Sequence, residues 1–309
     1  MKILVIGSCV LDMVVNVDHL PDKTEDVNCD DVSLSLGGMA YNVYNIVSLF
    51  GCEAIFGCPI GKGTFADIVK NMLDERNIKP IYQINDMDNG VFMCFVDNDG
   101  ERCFISRHQA EYLFDEKWFS NIDMNDVDIV YVSGLEVEDK NGEQLVSFLE
   151  KINKPVLFAI GPRLKHIPQS LIDRMYKLNC MLHLNEEEAL LLANKDNIED
   201  SADELFNRTH SPVIITLGDK GCYIKEENDQ YYVEGIVANV VDTIGAGDSH
   251  AGSIIACLNQ EVELKEAARI ANIVASQVVQ QKGANLSIDN FKKAVKKYHE
   301  INNIMLYQK

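Results

Sequence analysis

The chain has 309 residues, of which 47% are hydrophobic and 25% charged, and a net charge of −20. So acidic a chain repels nucleic-acid backbones and anionic bilayers, which excludes both as main partners, and no apolar run approaches the ~20 residues needed to cross a membrane. Nine cysteines at irregular spacing, with no C-x-x-C pair, are expected as reduced, buried thiols of a cytoplasmic protein.

In chain order, "KILVIG" (2–7) reads as a buried first strand, since Asp12 interrupts the apolar run too early for a signal peptide. Residues 12–36 hold two strand-like pieces, "MVVNVD" and "DVSLSL", before a helix over about 38–50. "EAIFG" (53–57) is a strand and 64–77 a helix. "VFMCFVDNDGERCFIS" (91–106) is a hairpin around an "NDG" turn. Strands follow at "DIVYVSG" (128–134), "PVLFAIG" (155–161), "CMLHLN" (180–185) and "PVIITLG" (212–218), alternating with helices near 140–152, 168–178 and 186–209. The last third is helical, over about 246–260, 262–281 and 288–304, with Phe291, Val295, Tyr298 and Ile301 on the inner face of the final helix.

This alternation predicts one α/β domain over 1–309, a doubly wound, mainly parallel sheet flanked by helices. The two irregular regions, about 12–36 and 88–107, are expected to form a small β-sheet lid over one edge.

"DTIGAGDSHAG" (242–252) places Gly245, Gly247 and Gly252 where a helix begins. A helix N-terminus offers unpaired N–H groups and about half a positive charge, and glycine lets an anion approach without meeting a Cβ. The amides of Gly245, Ala246 and Gly247 can converge on one anion, with Asp248 on the first turn beside them. Such an anion hole next to a carboxylate suits phosphoryl transfer to a neutral hydroxyl. The helix terminus favours the ionised carboxylate, so Asp248 is expected to be a weak base that takes the proton late. A tight packing turn is the alternative reading of the same glycines.

"DTIGAGD" resembles the signature of the PfkB, or ribokinase-like, family of carbohydrate and nucleoside kinases. "GGMAYN" (37–42), "NEEE" (185–188) and "TLGDKG" (216–221) match further family elements in the family's order, and the resemblance covers essentially the whole chain. It implies a ribokinase-like fold and an ATP-dependent, Mg²⁺-requiring kinase that phosphorylates a hydroxymethyl group of a small sugar. A nucleoside acceptor, or a non-catalytic sugar sensor on the same fold, are the alternatives, with Tyr41 or Phe92 available to stack on a base. There is no G-x-x-x-x-G-K-[ST] loop and no complete G-x-G-x-x-G after the first strand.

By the same resemblance Asp248 is the base, Gly245, Ala246 and Gly247 the anion hole, and Asp12, Gly38 and Asn42 the acceptor contacts. Thr216, Gly218, Gly221, Asp242, Thr243, Asn185 and Gly283 would serve the nucleotide. Asn185 and Glu188 would serve Mg²⁺ through water, which suits that ion's firm hydration shell. On their own residues, Asn185 and Glu188 equally form a capping box, and "TLGDKG" equally turns a hairpin into "CYIKEE". Met39 stands where ribokinase has a lysine, so another cation is expected near the transferred phosphate. The resemblance of "FAIGPR" (158–163) to a D-x-N-x-R-like segment of several relatives implies Arg163, with Ala159 and Gly161 where they have aspartate and asparagine. His250 is expected to pack or line the pocket. "QKGANLS" (281–287) resembles a segment that borders adenine and helps hold a monovalent cation, so K⁺ activation is a further expectation, as is a homodimer through the lid.

Overall fold

The computed structural model describes residues 2–138 and 141–302, with side chains as far as Lys296. The first half of the chain contains β1 (Lys2–Ile6), β2 (Val10–Val17), β3 (Cys29–Gly37), α1 (Met39–Leu49), β4 (Glu53–Gly57), β5 (Pro59–Ile60), α2 (Thr64–Glu75), β6 (Tyr82–Gln83), β7 (Val91–Val96), β8 (Arg102–Arg107), β9 (Val127–Ser133), α3 (Gly134–Glu138) and α4 (Gly142–Ile152). The second contains β10 (Val156–Ala159), α5 (Gln169–Lys177), β11 (Met181–Asn185), α6 (Glu186–Ala193), α7 (Ile198–Thr209), β12 (Val213–Thr216), β13 (Gly221–Lys225), β14 (Gln230–Glu234), α8 (Ala246–Asn259), α9 (Leu264–Val278) and α10 (Ile288–Asn302).

β1 shows why this sequence makes a doubly covered sheet. Ile3, Leu4 and Val5 are all fully buried, yet alternate residues enter different cores. Ile3 and Val5 pack with α1, α8 and α9 on one face, whereas Leu4 and Ile6 pack with α4, α5 and α7 on the other. Each such side chain contributes about 1.5–3 kcal/mol through removal from water. The sheet has eight strands in the order β14-β13-β12-β11-β10-β9-β1-β4. All pairs from β12 to β4 are parallel, and β13 and β14 run antiparallel at one edge.

Two features correct the sequence reading. The helix expected over 186–209 is two helices, because Asn194 adopts a left-handed conformation (φ 54°) that ends α6 and Asn197 caps α7. The strand β14 was not anticipated. It pairs with β13 because "TLGDKG" does turn a hairpin, and the short connection from β12 to β13 permits only an antiparallel return.

Residues of the two irregular regions form a separate four-stranded sheet, β3-β2-β7-β8. Its central strands pair in parallel, with Asp12 opposite Phe92, and Phe92 faces Ser106 of β8. The "NDG" turn joins β7 to β8 with Gly100 at φ 83°. Its outer strands expose Val32, Leu34, Phe104 and Ile105.

All nine cysteines are free thiols, but Cys29 and Cys103, on those outer strands, are exposed rather than buried. Phe291 of α10 is buried and Val295 packs against the core, whereas the side chains of Tyr298 and Ile301 lie outside the described residues. Among the described residues no helix is long and apolar enough to cross a membrane.

Candidate active site

The carboxyl ends of β1, β10, β11 and β12 open into a cavity of about 500 Å³ roofed by the four-stranded sheet. This is where open α/β sheets place their ligands. Ser8, Ala159, His183 and Thr216 come from strand ends, Asp12, Phe92 and Ser106 from the small sheet, and Gly245, Gly247 and Asp248 from the start of α8. A second cavity of about 280 Å³ lies on the other side of that helix start, lined by Gly218, Gly221, Thr243, Ala246, His250 and Asn272. Thr216 and Gly247 line both. The head of α8 is therefore the partition between two chambers.

The glycines there are needed for different reasons. Gly245 caps α8 in the left-handed region at φ 77°, and a Cβ on it would run into Ala284. Gly247 has ordinary helical surroundings, and a Cβ on it would meet nothing within 4 Å except the cavities themselves. Among the described residues the N–H groups of Gly245 and Gly247 donate to no protein acceptor, while that of Ala246 donates to the Thr243 carbonyl at 3.2 Å. Two of the three amides expected to bind an anion are thus free, and the third is held by its own loop.

Asp248 sits on the first turn with Oδ2 accepting from Asn42 Nδ2 at 2.8 Å, across 206 residues of sequence. Burial pushes its carboxyl up to about 6, and the Asn42 bond opposes that rise. The expectation of a weak base is corrected: burial holds this carboxyl above the usual carboxylate range. Asp12 is pushed up further, to about 7, first by burial and then by the charge of Asp248. Room for Asp12 comes from Gly37, where a Cβ would fall on its carboxylate. Gly38, at φ 98°, lets the chain pass the Ser8 carbonyl, which a Cβ would approach to 2.6 Å.

Two outcomes follow from these shifts. Both carboxyls have folded-state values above the usual 3.8, so the native state gains stability from them below about pH 4 and loses it as pH rises through about 6 and 7. Asp12→Asn is accordingly expected to raise the melting temperature at pH 8 and to leave it nearly unchanged at pH 4, as measured by differential scanning calorimetry. Asn42→Ala removes the bond that lowers Asp248, so the acidic limb of a pH–rate profile is expected to move upward from about pH 6.

Asn185 and Glu188 do form a capping box. Asn185 Oδ1 accepts from the Glu188 N–H at 2.8 Å, and the Asn185 N–H donates to Glu188 Oε2 at 3.0 Å. Both residues also line the larger cavity, and burial raises the Glu188 carboxyl. Among the described residues no three His, Cys, Asp or Glu side chains gather to hold a metal directly. This donor set suits an ion that keeps its water and rests on ligand phosphates.

Arg163 lines the same cavity, but its guanidinium is engaged by both oxygens of Glu138, with Nε donating to Oε2 at 2.7 Å. Met39 packs against Gly161 beside it. Thr216, Gly218, Gly221 and Thr243, the residues expected to serve a nucleotide, line the smaller cavity. Asp242 and Gly283 line neither chamber. The Asp242 carboxylate, 8% exposed, accepts from the N–H groups of Ile244 (3.1 Å) and Gly283 (3.0 Å) and from Arg102 Nη1 (2.9 Å). Burial pushes this carboxyl up, and the three donors more than offset it, leaving it below the usual range.

His250 does line the smaller cavity, and its Nδ1 shares a 2.8 Å hydrogen bond with Nε2 of His183 on the wall of the larger one. Burial lowers both rings, so the pair is neutral. Tyr41 is buried helix packing, whereas Phe92 faces the cavity. Sequence reasoning missed His183, Glu138 and Arg102. His183 shares a strand face with Asn185, which was the available signal; the two ion pairs have none in the sequence.

The model of the pfkB family carbohydrate kinases matches residues 1–290. The chain belongs to this family. It is 29% identical over 289 residues to the uncharacterized sugar kinase YegV of Escherichia coli K12, covering 92% of this chain and 90% of that one. The fold superposes on Arabidopsis thaliana ribokinase complexed with ribose and ATP at a TM-score of 0.79 and 20% identity, covering 96% and 98% of the two chains. A Burkholderia thailandensis nucleoside kinase in complex with inosine gives 0.79 at 16% identity, covering 98% and 97%. Membership of the pfkB family makes the chain a sugar or nucleoside kinase, a phosphotransferase with an alcohol acceptor, on a ribokinase-like fold.

Proposed function

We propose that this pfkB kinase transfers the γ-phosphate of ATP to a hydroxymethyl group of a small sugar, with the acceptor in the larger cavity and the nucleotide in the smaller one. The observation that carries the reading is Gly247, which lines both chambers next to Asp248. A phosphate gripped by the amides at the head of α8 would face both the nucleotide it leaves and the hydroxyl it joins. The acceptor oxygen forms a bond to phosphorus, the bond to the ADP oxygen breaks in line with it, and the hydroxyl proton passes to Asp248.

Asn42 orients the Asp248 carboxylate, and burial brings its basicity toward neutral pH, where a general base is most effective. Asp12, Asn42 and the backbone at Gly38 are the acceptor contacts. Arg163, preoriented by Glu138, is the only arginine or lysine among the described lining residues and is assigned to the transferred phosphoryl group. Asn185 and Glu188 would hold Mg²⁺, which would supply charge neutralisation at the phosphates.

The small sheet acts as the lid that excludes water. The exposed Phe104 and Ile105 of its outer strand β8 are assigned to a homodimer contact. Reduced thiols fit a cytoplasmic setting.

A nucleoside acceptor is the second reading, favoured by Phe92, whose ring faces the cavity and stacks on Phe104 at 5.4 Å between centroids. A panel of pentoses, hexoses and nucleosides in a coupled ADP-release assay separates the two. The highest kcat/KM is expected for a free sugar, and a nucleoside preferred by about tenfold or more, roughly 1.4 kcal/mol, would replace the first reading with the second. Thermal stabilisation by a sugar with no ADP release from any acceptor would point instead to a sensor.

A further inference from the structure

Asp242 opens the loop that ends in the anion-binding glycines, and its carboxylate is almost wholly removed from water. A buried carboxylate needs a cation or a full set of donors. Here the cation comes from the roof of the site. Arg102, the first residue of β8 in the small sheet, reaches across 140 residues of sequence to place Nη1 2.9 Å from Oδ1. The same oxygen accepts the Ile244 N–H, one residue before Gly245, and the other oxygen accepts the Gly283 N–H from the segment expected to hold K⁺. Every strong donor around this carboxylate is therefore supplied by the chain.

We propose that Arg102 is a built-in counter-cation that positions the anion-binding loop through Asp242, in place of a monovalent ion. The inference rests on the nucleotide reading of the smaller cavity. It assigns Arg102 no contact with substrate; it is a positioning residue, acting on Ile244 and Gly245 by fixing the carboxylate that orients them. Because Arg102 belongs to the small sheet, the loop is held in this form when that sheet lies over the cavity.

The test is binding of the non-hydrolysable ATP analogue AMPPNP to the full chain, by calorimetry, in KCl against choline chloride at equal ionic strength. Wild-type affinity is expected to agree within about twofold between the two salts. Arg102→Ala is expected to weaken binding about tenfold in choline chloride, the scale of one charge-assisted bond, and to recover in part with KCl or dilute guanidinium. Arg102→Lys, which keeps the charge, is expected to stay within about threefold of wild type and guards against misfolding of the alanine variant.

Wild-type binding that is several-fold tighter in KCl, or Arg102→Ala binding like wild type in choline chloride, would overturn the proposal while leaving the nucleotide reading intact. Wild type that binds AMPPNP in neither salt would overturn both.

Discussion

Asp248→Asn is expected to lower kcat by about 10²–10⁴-fold, the range for loss of a general base, while AMPPNP binding changes by less than about threefold. Asparagine keeps the size of the side chain and can still meet Asn42, so the geometry at the head of α8 survives and only proton acceptance is lost. The same variant is expected to melt at a higher temperature than wild type at pH 8. The native state no longer has to hold a buried charge whose carboxyl is pushed up to about 6. Gain of stability together with loss of turnover marks a group retained for chemistry, and the pair of measurements distinguishes that from simple damage to the fold. Calorimetry and the coupled ADP-release assay, run with the best acceptor from the panel, provide both values.

The second large effect separates the two glycines of the anion hole. Gly247→Ala puts a methyl group into space where no protein atom lies within 4 Å, in the first turn of a helix that tolerates alanine about 1 kcal/mol better than glycine. Stability is expected to hold or to rise slightly, while kcat falls about 10²–10³-fold because the methyl occupies the approach of the phosphate to the amides. Gly245→Ala is expected to fail in both respects. Its left-handed conformation costs a non-glycine residue about 1–2 kcal/mol, and the added methyl meets Ala284 as well. A melting curve beside a turnover number for each variant checks the contrast. Equal loss of stability in both variants would mean that the glycines serve packing alone.

The motifs legible in the sequence are those whose physics is local. "DTIGAGD" announces a helix start open to an anion because glycine conformation and the first-turn carboxylate are set within seven residues. "TLGDKG" carried two readings, a hairpin turn and a phosphate loop; the structure shows the hairpin from β12 into β13 and places Thr216, Gly218 and Gly221 on the wall of the smaller cavity. The small sheet was visible from alternation in "MVVNVD" and from the "NDG" turn. Asn194 and Asn197 did signal a helix break, but the apolar spacing on either side hid it.

What failed to show depends on distant partners. The raised carboxyl of Asp248 follows from burial within the fold, and the bond from Asn42 that opposes it spans 206 residues of sequence. Arg163 faces the cavity as expected, yet its bond to Glu138 is created by the fold. Arg102 and Asp242 lie on different sheets and loops, so their pairing leaves no pattern in either segment. Exposure of Cys29 and Cys103 likewise depends on which strands of the small sheet face outward.

A crystal structure of the chain with AMPPNP and Mg²⁺ bound would examine the central claim at its root. The terminal phosphate is predicted to lie at the amides of Gly245 and Gly247, pointing from the smaller chamber into the larger one toward Asp248. A triphosphate whose end turns away from α8, or one seated in the larger cavity against Asp12, would contradict it.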